Sequence, residues 1–133
     1  MKNLIFFSLI TLFTLTMSFA ADPPTVVPVD KDGVQRVDIL GSDYYFKPGH
    51  IIVKVNVPVE LKVRKDGYII PHNIVIEATE AGINVNETLS RDPKAITFTP
   101  TKVGKFPMYC DKKPPLLASH REKGMEGLLE VVE

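Results

Sequence analysis

The chain contains a single cysteine, and a histidine and a methionine follow it within one short segment. These residues, Cys110, His120 and Met125, offer a thiolate, an imidazole and a thioether. They are three of the four donors of a mononuclear electron-transfer copper site, in which two histidines and one cysteine form a plane and a methionine binds weakly outside it. The fourth donor must come from elsewhere. His72, which follows Pro71 and begins an apolar run, is well placed to supply it.

Copper suits this mixture of donors in both of its oxidation states. Cu(I) prefers soft sulfur, whereas imidazole binds both Cu(I) and Cu(II). The geometry therefore needs little rearrangement when an electron arrives or leaves, which is what a fast one-electron carrier requires.

The histidine count limits any richer metal chemistry. The chain has only His50, His72 and His120. A catalytic copper site of the nitrite reductase or oxidase kind needs several more imidazoles, and a binuclear electron-transfer centre needs two cysteines. One mononuclear site is therefore the most that one chain can hold. We expect His50 to be a solvated surface histidine, with a weak metal contact or a pH-sensitive site as the alternative.

Each candidate ligand also has a simpler interpretation. A free cysteine is often just buried, although a thiol in an exported protein oxidises unless burial or a metal protects it. His72 could be a strand-edge histidine and Met125 a core methionine. For Cys110 the ligand interpretation is favoured by the His120 and Met125 that follow it, and for His72 by the preceding Pro71 and the apolar strand behind it. For Met125 it is favoured because glycines on both sides allow a tight turn. Met108 is expected in the core.

The N-terminal residues 1–20 are typical of an export signal. Lys2 gives a positive start, Leu4–Phe19 is apolar apart from Ser and Thr, and small residues precede a cleavage point between Ala20 and Ala21. We expect a periplasmic protein without a membrane span in its mature chain. A membrane anchor is the alternative, but the apolar run is shorter than the ~20 residues of a spanning helix.

The chain after this leader is long enough for one domain and too short for two. Its predicted parts are a proline-rich lead-in over 21–33 and a folded domain over 34–133. The whole chain has 16 basic and 16 acidic residues. This balance gives no reason to expect nucleic acid as a partner, and we expect a monomer.

Alternating apolar and polar residues predict short β-strands, with Pro, Gly, Asn or Asp at most junctions. The one long break lies between Ala78 and Lys94, where Glu87–Arg91 is predicted to form a helical turn. Seven or eight short strands indicate an antiparallel sandwich or barrel. The predicted strands are Val34–Leu40, Ile51–Val57, Val59–Lys65, Asn73–Glu77, Ala95–Thr99, Gly104–Tyr109 and Gly127–Val132.

The predicted strands would bring the candidate ligands to one pole of the sandwich. Cys110 follows the strand Gly104–Tyr109, while His120 and Met125 lie in the loop before the last strand. His72 begins a different strand. Ligands near the ends of adjacent strands can converge on one ion.

The sequence resembles the cupredoxins, a family of small type 1 blue-copper proteins, over nearly all of the chain after the leader. The resemblance is carried by Tyr44-Tyr45-Phe46-Lys47-Pro48, Pro71-His72-Asn73, Ile96–Pro100, Gly104–Cys110 and the segment with His120 and Met125. It implies an all-β, Greek-key β-sandwich, one type 1 copper ion and electron transfer. It also implies that His72, Cys110 and His120 are strong ligands and Met125 the weak axial one.

The spacing of the ligand loop departs from the family pattern. Nine residues separate Cys110 from His120, whereas small electron carriers of the family usually have only a few there. The resemblance also implies that Asn73 hydrogen-bonds near Asp111 and holds the two ligand loops in register. An ordinary asparagine at a strand start is the alternative.

We expect the imidazole of His120 to be exposed and to act as the electron port, with redox partners docking transiently beside it. Leu116 and Leu117 would cover the copper with an apolar patch. A ring of basic residues around it would suit an acidic partner, although a solvated charged rim is the alternative. These residues are Lys112, Lys113, Arg121 and Lys123.

The predicted function is transfer of single electrons by an exported type 1 copper protein that is not an enzyme. The main alternative is a periplasmic copper carrier, buffer or chaperone of the same fold, because the ligands alone do not separate the two. Few methionines and histidines and a stiff, proline-containing loop favour electron transfer. A metal-free β-sandwich interaction domain is the third alternative.

Overall fold

The computed structural model describes residues 22–133, so the predicted leader and its cleavage point lie outside the described residues. Within 22–133 no helix has the length and apolar character needed to cross a membrane. This part of the chain forms ten β-strands and one 3₁₀ turn at Thr79–Ala81. The strands are β1 (Thr25–Val26), β2 (Gln35–Ser42), β3 (Tyr45–Lys47), β4 (His50–Lys54), β5 (Val59–Lys65), β6 (Asn73–Ala78), β7 (Ile83–Thr88), β8 (Lys94–Phe98), β9 (Gly104–Tyr109) and β10 (Glu126–Val132).

The strands form two sheets that enclose one apolar core. One sheet has the order β1-β4-β10-β9-β6-β7, and the other has the order β3-β2-β5-β8. Alternate residues of the central strands fill the space between the sheets, as the period of two requires. The predicted β-sandwich is confirmed, with ten strands rather than seven or eight. The largest fully buried apolar side chains are Ile39, Ile51, Leu61, Ile74, Ile76, Ile83, Met108, Met125 and Leu129.

Strand pairing is mixed rather than wholly antiparallel as predicted. The pairs β1–β4, β4–β10 and β2–β5 are parallel. Parallel neighbours need a long connection between them, and here the connecting chain contains strands of the other sheet. Turn signals locate strand ends but do not reveal this crossing. Part of the predicted lead-in also joins the sheet, because β1 pairs with β4 and Val27 is buried.

The segment between β6 and β8 contains a strand, so the predicted helical turn at Glu87–Arg91 is wrong. β7 pairs with β6 over its whole length. Ile83 and Val85 are buried while Asn84 and Asn86 are exposed, which is the pattern of a half-buried strand. The burial of alternate apolar side chains therefore outweighs the preference of the two asparagines for turns.

The pairing of β9 with its neighbours assembles one pole of the sandwich. Tyr109, the last residue of β9, pairs with Glu126 at the start of β10 and with Val75 near the start of β6. The residues that follow β9 and precede β6 and β10 therefore meet. These are the positions of Cys110, His72 and Met125.

Candidate metal centre

Three of the four predicted ligands lie together in one buried group. Nδ1 of His72 is 3.1 Å from Nδ1 of His120. Sγ of Cys110 is 3.5 Å from the same Nδ1 of His120. The donor atoms of the three residues all lie within 4.8 Å of one another. Both imidazoles therefore turn Nδ1 toward the centre of the group.

The spacing of these donors fits one small metal ion. With bonds of about 2.1 Å to nitrogen and about 2.3 Å to sulfur, a trigonal ion separates its donors by about 3.6–3.8 Å. The observed separations of 3.1 and 3.5 Å are slightly shorter. Small outward shifts of the rings would admit the ion. Two imidazoles and one thiolate are also the donor set typical of copper electron-transfer sites.

Met125 is joined to this group through its backbone. Its N–H donates to the carbonyl of His120 over 2.9 Å, and its carbonyl accepts from the N–H of Cys110 over 3.1 Å. Its side chain is fully buried. A Cβ added at Gly41 would lie 3.2 Å from Cε of Met125, so glycine on β2 leaves room for the thioether. Met108 is fully buried in the core, as predicted.

Local hydrogen bonds determine the shape of the ligand loop. The N–H of His120 donates to the carbonyl of Lys112 over 2.8 Å, which closes the loop after Cys110. Ser119 and Glu122 each accept the other's backbone N–H through a side-chain oxygen, the arrangement of a capping box. Gly124 has φ 101°, a region that favours glycine. This turn returns the chain from His120 to Met125.

Asn73 connects the two ligand segments, and the predicted bond to Asp111 is confirmed. Its Nδ2 donates to Oδ1 of Asp111 over 2.9 Å, and its Oδ1 accepts from the backbone N–H of Asp111 over 3.0 Å. Nδ2 also donates to Asn86 on β7 over 3.2 Å. The backbone N–H of Asn73 points at Sγ of Cys110 over 3.5 Å. These bonds orient the sulfur and the imidazole of His72 relative to each other.

Both imidazoles are buried, so the prediction of an exposed His120 is wrong. His120 is 1% exposed and His72 is 2% exposed. The ring of Tyr44 packs edge-on against His120 with centroids 5.0 Å apart, and the amine of Lys123 lies 4.5 Å over the Tyr44 ring. Tyr44 belongs to the turn between β2 and β3 and is remote in sequence, so no local pattern indicated this cover.

Burial also adjusts the imidazoles for metal binding. It lowers the pKa of His72, and the neighbouring His120 contributes to that decrease. It lowers the pKa of His120 as well, with a contribution from the positive charge of Lys123. Both imidazoles are therefore neutral at pH 7, which is the form that binds a metal ion.

The surface of the ligand loop differs from the prediction in two ways. Leu116 is fully exposed and has φ 60°, so it points away from the site and does not cover it. Leu117 is 57% exposed. Arg121 makes two 2.9 Å bonds to Glu126 and stacks over Tyr109. The predicted positive ring is therefore partly neutralised.

His50 is half-buried rather than freely solvated as predicted. Its Nε2 lies 2.8 Å from Oε2 of Glu130. Within residues 22–133, His72, Cys110 and His120 form the one group of three or more histidine, cysteine or acidic side chains that could hold an ion. His50 is not part of it.

Comparisons with known proteins identify the class of fold. No protein-family model and no curated protein sequence matches this chain. The metal-binding domain of the Streptococcus pneumoniae Cu(I)-exporting P-type ATPase CopA, solved with Cu(I), has a TM-score of 0.63 at 20% identity, over 84% of this chain and 97% of that chain. Auracyanin A, a "blue" copper protein from Chloroflexus aurantiacus, has a TM-score of 0.56 at 16% identity, over 75% and 100% of the two chains.

A mutant plastocyanin of a fern has a TM-score of 0.50 at 23% identity, over 72% of this chain and 100% of that chain. At these identities the likeness concerns the fold alone. The chain therefore has a cupredoxin-like fold, as the sequence predicted.

Proposed function

We propose that this protein is an exported carrier of single electrons with one type 1 copper ion, held by His72, Cys110 and His120 and weakly by Met125. The convergence of two Nδ1 atoms and one Sγ within 4.8 Å in a buried group carries the proposal. When bound, the ion supplies the one-electron change between Cu(I) and Cu(II). The likeness in fold to auracyanin A and plastocyanin supports this function.

The residues around the group favour a rigid site. The two Asn73–Asp111 bonds hold the segment before β6 against the segment after β9. The backbone bonds of Met125 to Cys110 and His120 hold the third segment in place. Donors that are held in position before the ion binds move little when its charge changes. The reorganisation that accompanies electron transfer is then small.

Partner docking is proposed beside His120, on the exposed part of the ligand loop. Leu116 and Leu117 offer apolar surface there, which suits a brief encounter with a redox protein. Because His120 is buried, an electron would cross its cover, and the Tyr44 ring 5.0 Å away is the nearest aromatic group in that cover. The protein would act as a periplasmic monomer that catalyses no reaction on a substrate.

Titration of the copper-free mature protein with Cu(II) tests this function. One equivalent should produce an intense thiolate-to-copper absorption. Cys110→Ser should abolish the band, and His72→Ala or His120→Ala should perturb it strongly. His50→Ala is the matched control, because His50 bonds to Glu130 outside the group, and it should leave the band intact. A protein that stays colourless would refute the type 1 copper site and leave a Cu(I) carrier or a metal-free interaction domain.

A copper carrier, buffer or chaperone is the second candidate function. The fold of the CopA metal-binding domain, solved with Cu(I), favours it. Competition with a copper chelator at neutral pH separates the two functions. Slow loss of the ion supports electron transfer, and rapid loss supports copper delivery.

A further inference from the structure

An open cavity of about 260 Å³ lies directly against His72. The turn between β2 and β3 contributes Asp43, and the segment after β5 contributes Asp66 and the loop Gly67–Ile70. Tyr68 and Ile69 are largely exposed, so the cavity opens to solvent. It therefore connects the surface of the protein with one wall of the candidate metal centre.

His72 lines this cavity and has one ring nitrogen without a partner among residues 22–133. Its Nδ1 faces His120, whereas its Nε2 makes no hydrogen bond with any residue of 22–133. In the same part of the chain, every fully buried side-chain nitrogen or oxygen has a partner. Nε2 of His72 must therefore reach accessible space, although His72 as a whole is 2% exposed. The cavity is the space that His72 lines.

Two carboxylates line the cavity, although Lys65 also lies near His72, and its positive charge lowers the pKa of His72 against the effect of the two carboxylates. Asp43 and Asp66 are exposed carboxylates that line the cavity. The nearby cations do not line it: Lys65 donates to the carbonyl of Ile70 over 2.7 Å, and Arg91 stacks on Tyr68.

The side of His120 carries a positive charge and the closer aromatic cover, since the Tyr44 ring lies 5.0 Å from the His120 ring and 6.2 Å from the His72 ring. Nε2 of His120 also makes no hydrogen bond within 22–133, although His120 as a whole is only 1% exposed. The Tyr44 ring packs against it, and the ammonium group of Lys123 lies on that ring. A cation that approached from this side would meet like charge.

We propose that the cavity beside His72 is the route by which the copper ion reaches and leaves the centre, with Asp43 and Asp66 as transient oxygen donors. This route rests on the proposed copper function and describes how the ion would reach the centre. Carboxylates in a concave site raise the local concentration of a cation and its rate of association. Asp43 and Asp66 would hold a cation at the mouth of the cavity, and the nitrogen and sulfur donors of the centre would then replace their oxygen atoms.

Stopped-flow mixing of copper-free mature protein with copper(II) sulfate tests the route, with the thiolate-to-copper band as the signal. The double variant Asp43→Asn, Asp66→Asn should load about tenfold more slowly at low ionic strength. The difference should shrink at about 1 M salt, where charges are screened over about 3 Å. The final spectrum should equal that of the wild type, because neither carboxylate belongs to the donor group.

The double variant Asp38→Asn, Glu80→Gln is the matched control. It removes the same charge from exposed residues of β2 and of the 3₁₀ turn at the far end of β6, and it should load like the wild type. Equal loading rates for the two double variants would overturn the route and leave the proposed function intact. If the wild type gives no thiolate-to-copper band, the proposed function fails, and the route fails with it.

Discussion

Replacing Asn73 with alanine should loosen the connection between the two segments that carry His72 and Cys110. The change removes three side-chain hydrogen bonds, two to Asp111 and one to Asn86, with lengths of 2.9, 3.0 and 3.2 Å. Each such bond contributes about 1 kcal/mol net. We therefore expect the free energy of unfolding of the copper-free protein to fall by about 3 kcal/mol.

The same substitution should weaken copper binding, because bonds that orient ligands are worth roughly 10–100-fold in metal affinity. Urea denaturation of the copper-free protein measures the first effect, and competition with a chelator of known affinity measures the second. The slope of the unfolding free energy against urea should not change, because the surface exposed on unfolding stays the same.

Two asparagines of β7 provide matched controls for this experiment. Asn86→Ala removes one of the three bonds and should cost about 1 kcal/mol. Asn84→Ala changes an exposed side chain on the same strand and should cost nothing measurable. If Asn73→Ala were no more destabilising than Asn86→Ala, the bonds to Asp111 would contribute nothing. They would then not hold the segments of His72 and Cys110 together.

Three further substitutions examine the surroundings of the group. Met125→Leu should retain the thiolate-to-copper band but raise the reduction potential, because a sulfur donor that supports Cu(II) is replaced by hydrocarbon. Voltammetry measures the potential, and an unchanged value would argue against an axial role for Met125. Gly127→Ala should lower the free energy of unfolding by about 1–3 kcal/mol, because the new Cβ would lie 2.5 Å from the carbonyl oxygen of Gly49; a melting temperature equal to that of the wild type would contradict this. Gly41→Ala places a Cβ 2.6 Å from Cδ1 of Leu89 and 3.2 Å from Cε of Met125. We expect an altered paramagnetic-resonance spectrum of the copper form, because the Met125 side chain must shift. An unaltered spectrum would show that only the Leu89 side chain shifts.

Local patterns were sufficient for the β-sandwich and for the candidate donor set. Period-two alternation predicted five of the strands, because the side chains of a strand point alternately to the core and to solvent, and two further runs completed the predicted set. The rarity of sulfur and imidazole in this chain singled out Cys110, His72 and His120. The structure brings these three side chains together.

Other features depended on contacts between residues far apart in the chain. The burial of His120 involves Tyr44, which comes from the turn between two strands of the other sheet. The cavity beside His72 requires the β2–β3 turn to meet the loop after β5. The strand β7 lacked a strong signal, because Asn84 and Asn86 are typical of turns. Its pairing with β6 and the burial of Ile83 and Val85 decide its conformation.

The sequence by itself determined which chemistry this protein can hold, since one thiol and three imidazoles allow a single mononuclear site and little else. It also determined that the chain is built from strands, because alternation is a local property. Tertiary structure alone decided how the site is reached. Strand pairing brings remote turns against the two imidazoles, one covered by Tyr44 and Lys123 and the other open to a cavity with two carboxylates. Such neighbours are set by the packing of the sheets, which no local pattern encodes.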